Sequence, residues 1–216
     1  MKLLLTSAGL TNDTLAEALL GLVGKSAGDT TIVFIPTAAN LEKGDLSWLE
    51  EDIKHFKQRG FKFVDVFDIA GTSKEVWQPR LEAADIICFG GGNEQYLAKV
   101  IRDVGLDTAL PELLKSRVYM GISAGSMVTG QFLPLKLMKV VYPEEVYEEW
   151  ALPLGLVDFL FIPHLNSDYF THVRKEVLEG MMETFTFPLY ACDDETALRV
   201  VDEKVEIVGE GETVTL

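Results

Sequence analysis

The 216-residue chain is 48% hydrophobic with a formal net charge of −15, enough apolar material for one sizeable core and a length usual for a single domain over residues 1–216. The acidity argues against nucleic acid and anionic membrane surfaces as partners, since no Lys/Arg cluster offsets it. No run approaches eighteen consecutive apolar residues, which argues against a membrane span.

The apolar start, residues 1–5, stops at Thr6-Ser7, too early for a secretory signal, and reads as a first strand. In chain order, β-rich apolar runs at 3–7, 31–36, 63–67, 85–89, 118–122 and 159–162 alternate with segments of helical period at 13–22, 46–59, 75–84 and 93–104. Several runs are apolar at consecutive positions, as strands covered on both faces must be. The alternation predicts an α/β fold with a mostly parallel sheet and crossover helices. Gly24, Gly60 and Gly105 stand where helices are expected to stop. Phe170, Val173, Val177, Met181 and Phe185 recur at intervals of three and four, predicting an amphipathic helix over 168–185. Beyond it, 196–201, 204–208 and 213–216 read as an antiparallel β-ribbon at the C-terminal end. The two cysteines, Cys88 and Cys192, fall in apolar runs and suggest no disulfide framework, so a cytoplasmic location is the expectation.

Chemistry is signalled first by Gly121-Ile122-Ser123-Ala124-Gly125. In a Gly-x-Ser-x-Gly run the serine sits on a sharp strand-to-helix turn that small neighbours permit, and the amides opening the helix can stabilise an oxyanion. A tight turn whose glycines serve packing alone fits the same five residues. Gly90-Gly91-Gly92-Asn93 also lies between a strand and a helical segment, so its backbone can approach a ligand. Its spacing matches neither common nucleotide fingerprint. A serine needs a base, and three histidines are available. His55 sits among Lys54, Lys57 and Arg59 on what reads as a solvated helix face, and His172 reads as surface or packing. His164 follows an apolar strand, at the sheet edge where ligands gather in open α/β folds, and is the best base. The three histidines lack ligand spacing with cysteines or acids, so no metal site is expected.

These runs in this order, with Pro163-His164, Ile35-Pro36-Thr37-Ala38 and Leu156-Val157-Asp158-Phe159, resemble the aspartyl dipeptidase (dipeptidase E) and cyanophycinase-like serine peptidases from residue 3 to about residue 200. The resemblance implies a flavodoxin-like three-layer sandwich with helices on both faces, related to class I glutamine amidotransferases. It implies Ser123 as nucleophile, His164 as general base, and the amides of Ala124 and of Gly91 or Gly92 as the oxyanion hole. It further implies that Asn93 and Arg174 bind substrate, Arg174 reading an acidic side chain. An orienting acid is implied between serine and histidine. Residues 134–141 supply none, which leaves Glu144 and Glu145 as the nearest candidates, although with Glu148 and Glu149 they also read as a solvated acidic face. The run Asp193-Asp194-Glu195 reads as a turn into the tail hairpin or as part of the site rim.

The expected function is a cofactor-free serine peptidase acting on a small peptide or isopeptide with an acidic residue on the acyl side. A homodimer is compatible with the sequence. The rival readings are a catalytically silent ligand-binding or regulatory member without the acid, an α/β-hydrolase esterase, and a cysteine amidotransferase. The last is disfavoured because neither cysteine stands at the elbow.

Overall fold

The computed structural model describes residues 1–143 and 152–216. Five parallel strands build most of the main sheet: β1 (Lys2–Thr6), β2 (Thr31–Ile35), β3 (Phe63–Val66), β4 (Ile86–Phe89) and β5 (Val118–Ile122). They lie in the order β3-β2-β4-β5-β1. Two further strands, β8 (Thr196–Val201) and β9 (Lys204–Gly209), then continue the sheet antiparallel beside β1. A smaller sheet has β7 (Leu189–Cys192) at its centre, with β6 (Leu160–Ile162) parallel on one side and β10 (Thr213–Thr215) antiparallel on the other.

Strand pleating explains why β1, β2, β4 and β5 carry apolar residues at consecutive positions, since successive side chains enter opposite cores, whereas β3 at the sheet edge is mostly exposed. Leu4, Phe34 and Met120 pack with helix α1 (Asp13–Val23) and with Phe56 of α2 (Ser47–Gln58) on one face. Their neighbours Leu5, Ile35 and Tyr119 pack on the other face against α3 (Lys74–Ala83), α4 (Glu94–Asp103) and α5 (Leu106–Leu113). The expected α/β sandwich, with a mostly parallel sheet and a C-terminal antiparallel ribbon, is thus the observed one. Helix boundaries follow local chemistry. Asn12 caps α1 by accepting from the Leu15 amide, and Gly24 ends it in the left-handed conformation at φ 76°, which glycine adopts without steric cost. Among the described residues no helix is long and apolar enough to cross a membrane.

The predicted helix over 168–185 does not form. Only α8 (Lys175–Glu179) and a 3-10 turn at Met182–Thr184 are helical there, after the short α6 (Ala124–Met127) and α7 (Leu135–Val141). The reason lies upstream. Asn166 takes φ 61°, and the Arg174 guanidinium donates to the carbonyls of Ser167, Phe170 and Val173, satisfying a coiled loop that a helix would otherwise satisfy by itself. The periodic residues still face inward, for Val173 is buried and Phe170, Val177 and Met181 pack against the core. Their spacing reported burial correctly and backbone form incorrectly.

Candidate active site

Ser123 stands between the last residue of β5 and the first turn of α6, at φ 49° and ψ −111°. A non-glycine residue there is strained by about 1–3 kcal/mol and persists only where its surroundings over-determine it. Here they do. The Ser123 amide and the Ser126 hydroxyl both donate to the Thr6 carbonyl of β1, while the Thr6 hydroxyl donates to the Gly121 carbonyl. The flanking glycines are demanded by space. A Cβ on Gly121 would lie 2.6 Å from the Gly125 carbonyl oxygen, and one on Gly125 would lie 2.0 Å from the Phe89 carbonyl oxygen. Gly125→Ala is therefore expected to cost about 3 kcal/mol and to lower the melting temperature by about 10 °C. An unchanged thermal melt followed by circular dichroism would mean that β4 yields without penalty.

The Gly90–Gly92 loop leaves β4 beside the elbow. A Cβ on Gly91 would come within 3.5 Å of the Ser123 Cβ, and Gly92, at φ 123°, approaches the Ala38 carbonyl so closely that a Cβ would be 2.3 Å from its oxygen. Among the described residues, the amides of Gly90 and Asn93 donate to Ile35 and Ala38, whereas no backbone hydrogen bond is made by those of Gly91 and Gly92. Ala124 opens α6, where an amide has no intrahelical acceptor. Free donors thus lie on two sides of the serine. Asn93 instead caps α4, its side-chain oxygen accepting from the Tyr96 amide at 2.8 Å.

His164 follows β6 at φ 64°. Its amide donates to the Ser7 hydroxyl, which donates in turn to the Cys192 carbonyl at the end of β7. Its ring stacks on Phe170 at 4.5 Å between centroids. With the imidazole fixed in this way, Nε2 is 3.1 Å from the Ser123 hydroxyl and Nδ1 is 2.7 Å from a carboxylate oxygen of Asp194. Serine, histidine and an acid therefore form one hydrogen-bonded line. The acid comes from the run after β7, not from the segment between serine and histidine; Glu144 and Glu145 lie outside the described residues. Both sequence readings of 193–195 apply at once. Asp193 builds the turn by accepting from the Glu195 and Glu212 amides, and the turn carries Asp194 to the rim. Thr11 anchors it from the β1 side by donating to the Asp194 carbonyl.

His55 is half-buried on α2, 3.7 Å from Glu51, rather than fully solvated; burial in the first place, then the Arg59 charge, holds its pKa below the usual value. His172 is exposed. Arg174 supports the loop carrying Phe170, as described above, and among the described residues no carboxylate pairs with it. Both cysteines are buried. Burial pushes the Cys88 thiol well up and that of Cys192 to about 12, so neither supplies a thiolate at neutral pH.

Residues 3–208 match the family described as Peptidase family S51. Peptidase E of Streptomyces coelicolor is 29% identical over 191 residues, covering 84% of this chain and 76% of that protein. An uncharacterised peptidase of Listeria monocytogenes is 28% identical over 149 residues, covering 68% of this chain and 72% of its own. Among solved structures, a Listeria monocytogenes protein provisionally assigned as peptidase E superposes with a TM-score of 0.73 at 24% identity, over 97% of this chain and 98% of the other. A peptidase from an acI-B1 actinobacterium gives 0.69 at 21% identity, over 98% and 88%. At these identities the structural likeness is one of fold.

Proposed function

Because this chain belongs to peptidase family S51 and is a serine-type peptidase, we propose that Ser123 is its nucleophile, His164 the general base and Asp194 the acid that orients the base. The observation that carries the reading is the line from Ser123 through His164 to Asp194, with its contacts of 3.1 and 2.7 Å. Asp194 accepts a hydrogen bond from Nδ1–H and so keeps the proton on that nitrogen, which leaves the Nε2 lone pair facing the serine hydroxyl. His164 takes the hydroxyl proton as Ser123 attacks a peptide carbonyl. The oxyanion that forms is held by the amides of Ala124 and of Gly91 or Gly92. His164 then gives its proton to the leaving amine, and a water, deprotonated by the same imidazole, hydrolyses the acyl-enzyme. No cofactor is needed for these steps.

The substrate we infer is a small peptide or isopeptide with an acidic residue on the acyl side. Arg174 supports this, as a cation without a carboxylate partner among the described residues on the loop that stacks against His164. Asp194 meets the need for an orienting acid, so no observation favours a silent ligand-binding member. The test is covalent labelling of intact protein with a fluorophosphonate probe, mapped by peptide mass spectrometry. Label on Ser123, lost in Ser123→Ala, is the expected result; an unlabelled Ser123 overturns the assignment.

A further inference from the structure

Hydrogen bonds to Ser123 and Asp194 hold the His164 ring along one line, and they leave its tilt about that line unset. The loop that follows supplies the missing constraint. His164 at φ 64° and Asn166 at φ 61° turn the chain back, with the Ser167 amide donating to the His164 carbonyl and the Asn166 amide to that of Val173. Val173 is fully buried, so the loop closes over an apolar anchor and brings Phe170 across the imidazole.

The Phe170 ring lies nearly parallel to that of His164, at 16° between planes and 4.5 Å between centroids. It is braced in turn from other sides. The Tyr142 ring, at the end of α7, meets it edge-on at 5.6 Å, and the Tyr169 ring does so at 5.1 Å. The Tyr142 hydroxyl also donates to the carbonyl of Pro163, the residue before the base, which ties Phe170 to the backbone that carries His164. Arg174 fixes the loop from within, Nη1 donating to the Phe170 and Val173 carbonyls at 3.2 and 2.9 Å and Nη2 to that of Ser167 at 2.9 Å. A guanidinium has five N–H donors, so these contacts leave donors for a substrate carboxylate.

We propose that Phe170 is a positioning residue for the base and that Arg174 acts through it. The clamp holds the imidazole at the tilt from which Nε2 meets the serine hydroxyl, and the aromatic face steadies the imidazolium that forms as the proton arrives. This rests on the assignment of Ser123 and His164 above. A cation within about 6 Å of an aromatic centroid is attracted by the negative face of the ring, and small displacements of a catalytic group cost large factors in rate. Arg174 therefore affects turnover whatever side chain the substrate carries.

The test is the rate of fluorophosphonate labelling, which reads activation of the serine without a substrate side chain, together with kcat and KM on an acidic peptide. Phe170 is only partly buried, so Phe170→Leu keeps the apolar bulk and the fold while removing the flat face, as the melting temperature checks. It is expected to label about tenfold more slowly and to lower kcat by a like factor with KM unchanged, whereas Phe170→Tyr, which restores the ring, labels at nearly the parental rate. Arg174→Gln is expected to slow labelling as Phe170→Leu does, and the double variant no further, since both act through one contact. This second position carries the test where Phe170→Leu melts early. Parental labelling in Phe170→Leu, a slow Phe170→Tyr or an additive double variant overturns the proposal, and Arg174→Gln that only raises KM for acidic peptides overturns the part of Arg174 in it. An unlabelled parent overturns the nucleophile and this reading together; a labelled parent with equally labelled variants overturns this reading alone.

Discussion

Asp194→Asn is expected to lower kcat on a chromogenic peptide substrate by about 10⁴ while leaving the fold intact. An asparagine of the same shape can present its amide nitrogen to Nδ1, which favours the tautomer with its proton on Nε2 and removes the lone pair that must receive the serine proton. Ser123→Ala is expected to cost about 10⁶, and the double variant no more than that single one, since residues acting as a unit are not additive. Circular dichroism and the melting temperature check that the variants fold. A rate undiminished in Asp194→Asn would move the orienting role elsewhere and return Glu144 and Glu145 to consideration.

The second large effect is on stability, and its centre is Asp52, a buried carboxyl on α2. Burial, and after it the Glu51 charge, raises this carboxyl to about 7 from an ordinary value of 3.8. Between those two values the folded chain keeps a proton that the unfolded chain has released. Stability therefore falls as pH rises through the window, and the penalty is complete above about 7. Its full size is about 4 kcal/mol. Of the neighbours that share its field, Glu51 is ionised across the window, and the buried Cys88 thiol on β4, itself pushed up in part by Asp52, stays protonated. Asp52→Asn is expected to unfold in urea at a somewhat higher concentration than the parent at pH 5, and at a much higher one at pH 8. An offset that is equal at both pH values would show that Asp52 ionises like a surface carboxylate.

Much of the fold was legible because its signals are local. Four of the five parallel strands are buried on both faces and stand out as short apolar runs, the edge strand β3 being mostly exposed, and the observed ends fall within one residue of those read from sequence. The elbow was legible for a similar reason, its two glycines being fixed by contacts with Gly125, Ser126 and Phe89 backbone atoms. Residues 168–185 misled because inward-facing spacing of three and four also arises in a loop whose carbonyls are held by an arginine. Asp194, the acid proposed above, was missed because its contact with His164 depends on a pairing that sequence spacing does not carry. β6 and β7 run parallel, with Ile162 opposite Ala191, so the residues following each emerge at one edge: His164 two positions beyond Ile162, and Asp194 three beyond Ala191. Recognising 189–192 as a strand beside 160–162 would have brought the two together.

The interior position of β1, between β5 and β8, ties the site to the order in which the chain is made. Thr6 holds the elbow, Ser7 joins His164 to β7, and Thr11 fixes the carbonyl of Asp194, so residues 6–11 touch all three members of the proposed relay. A ribosome-bound chain that has emerged only as far as the serine lacks both of its partners, and one that stops before residue 194 lacks the acid. The proposed relay is therefore complete only once the chain has been made through residue 194.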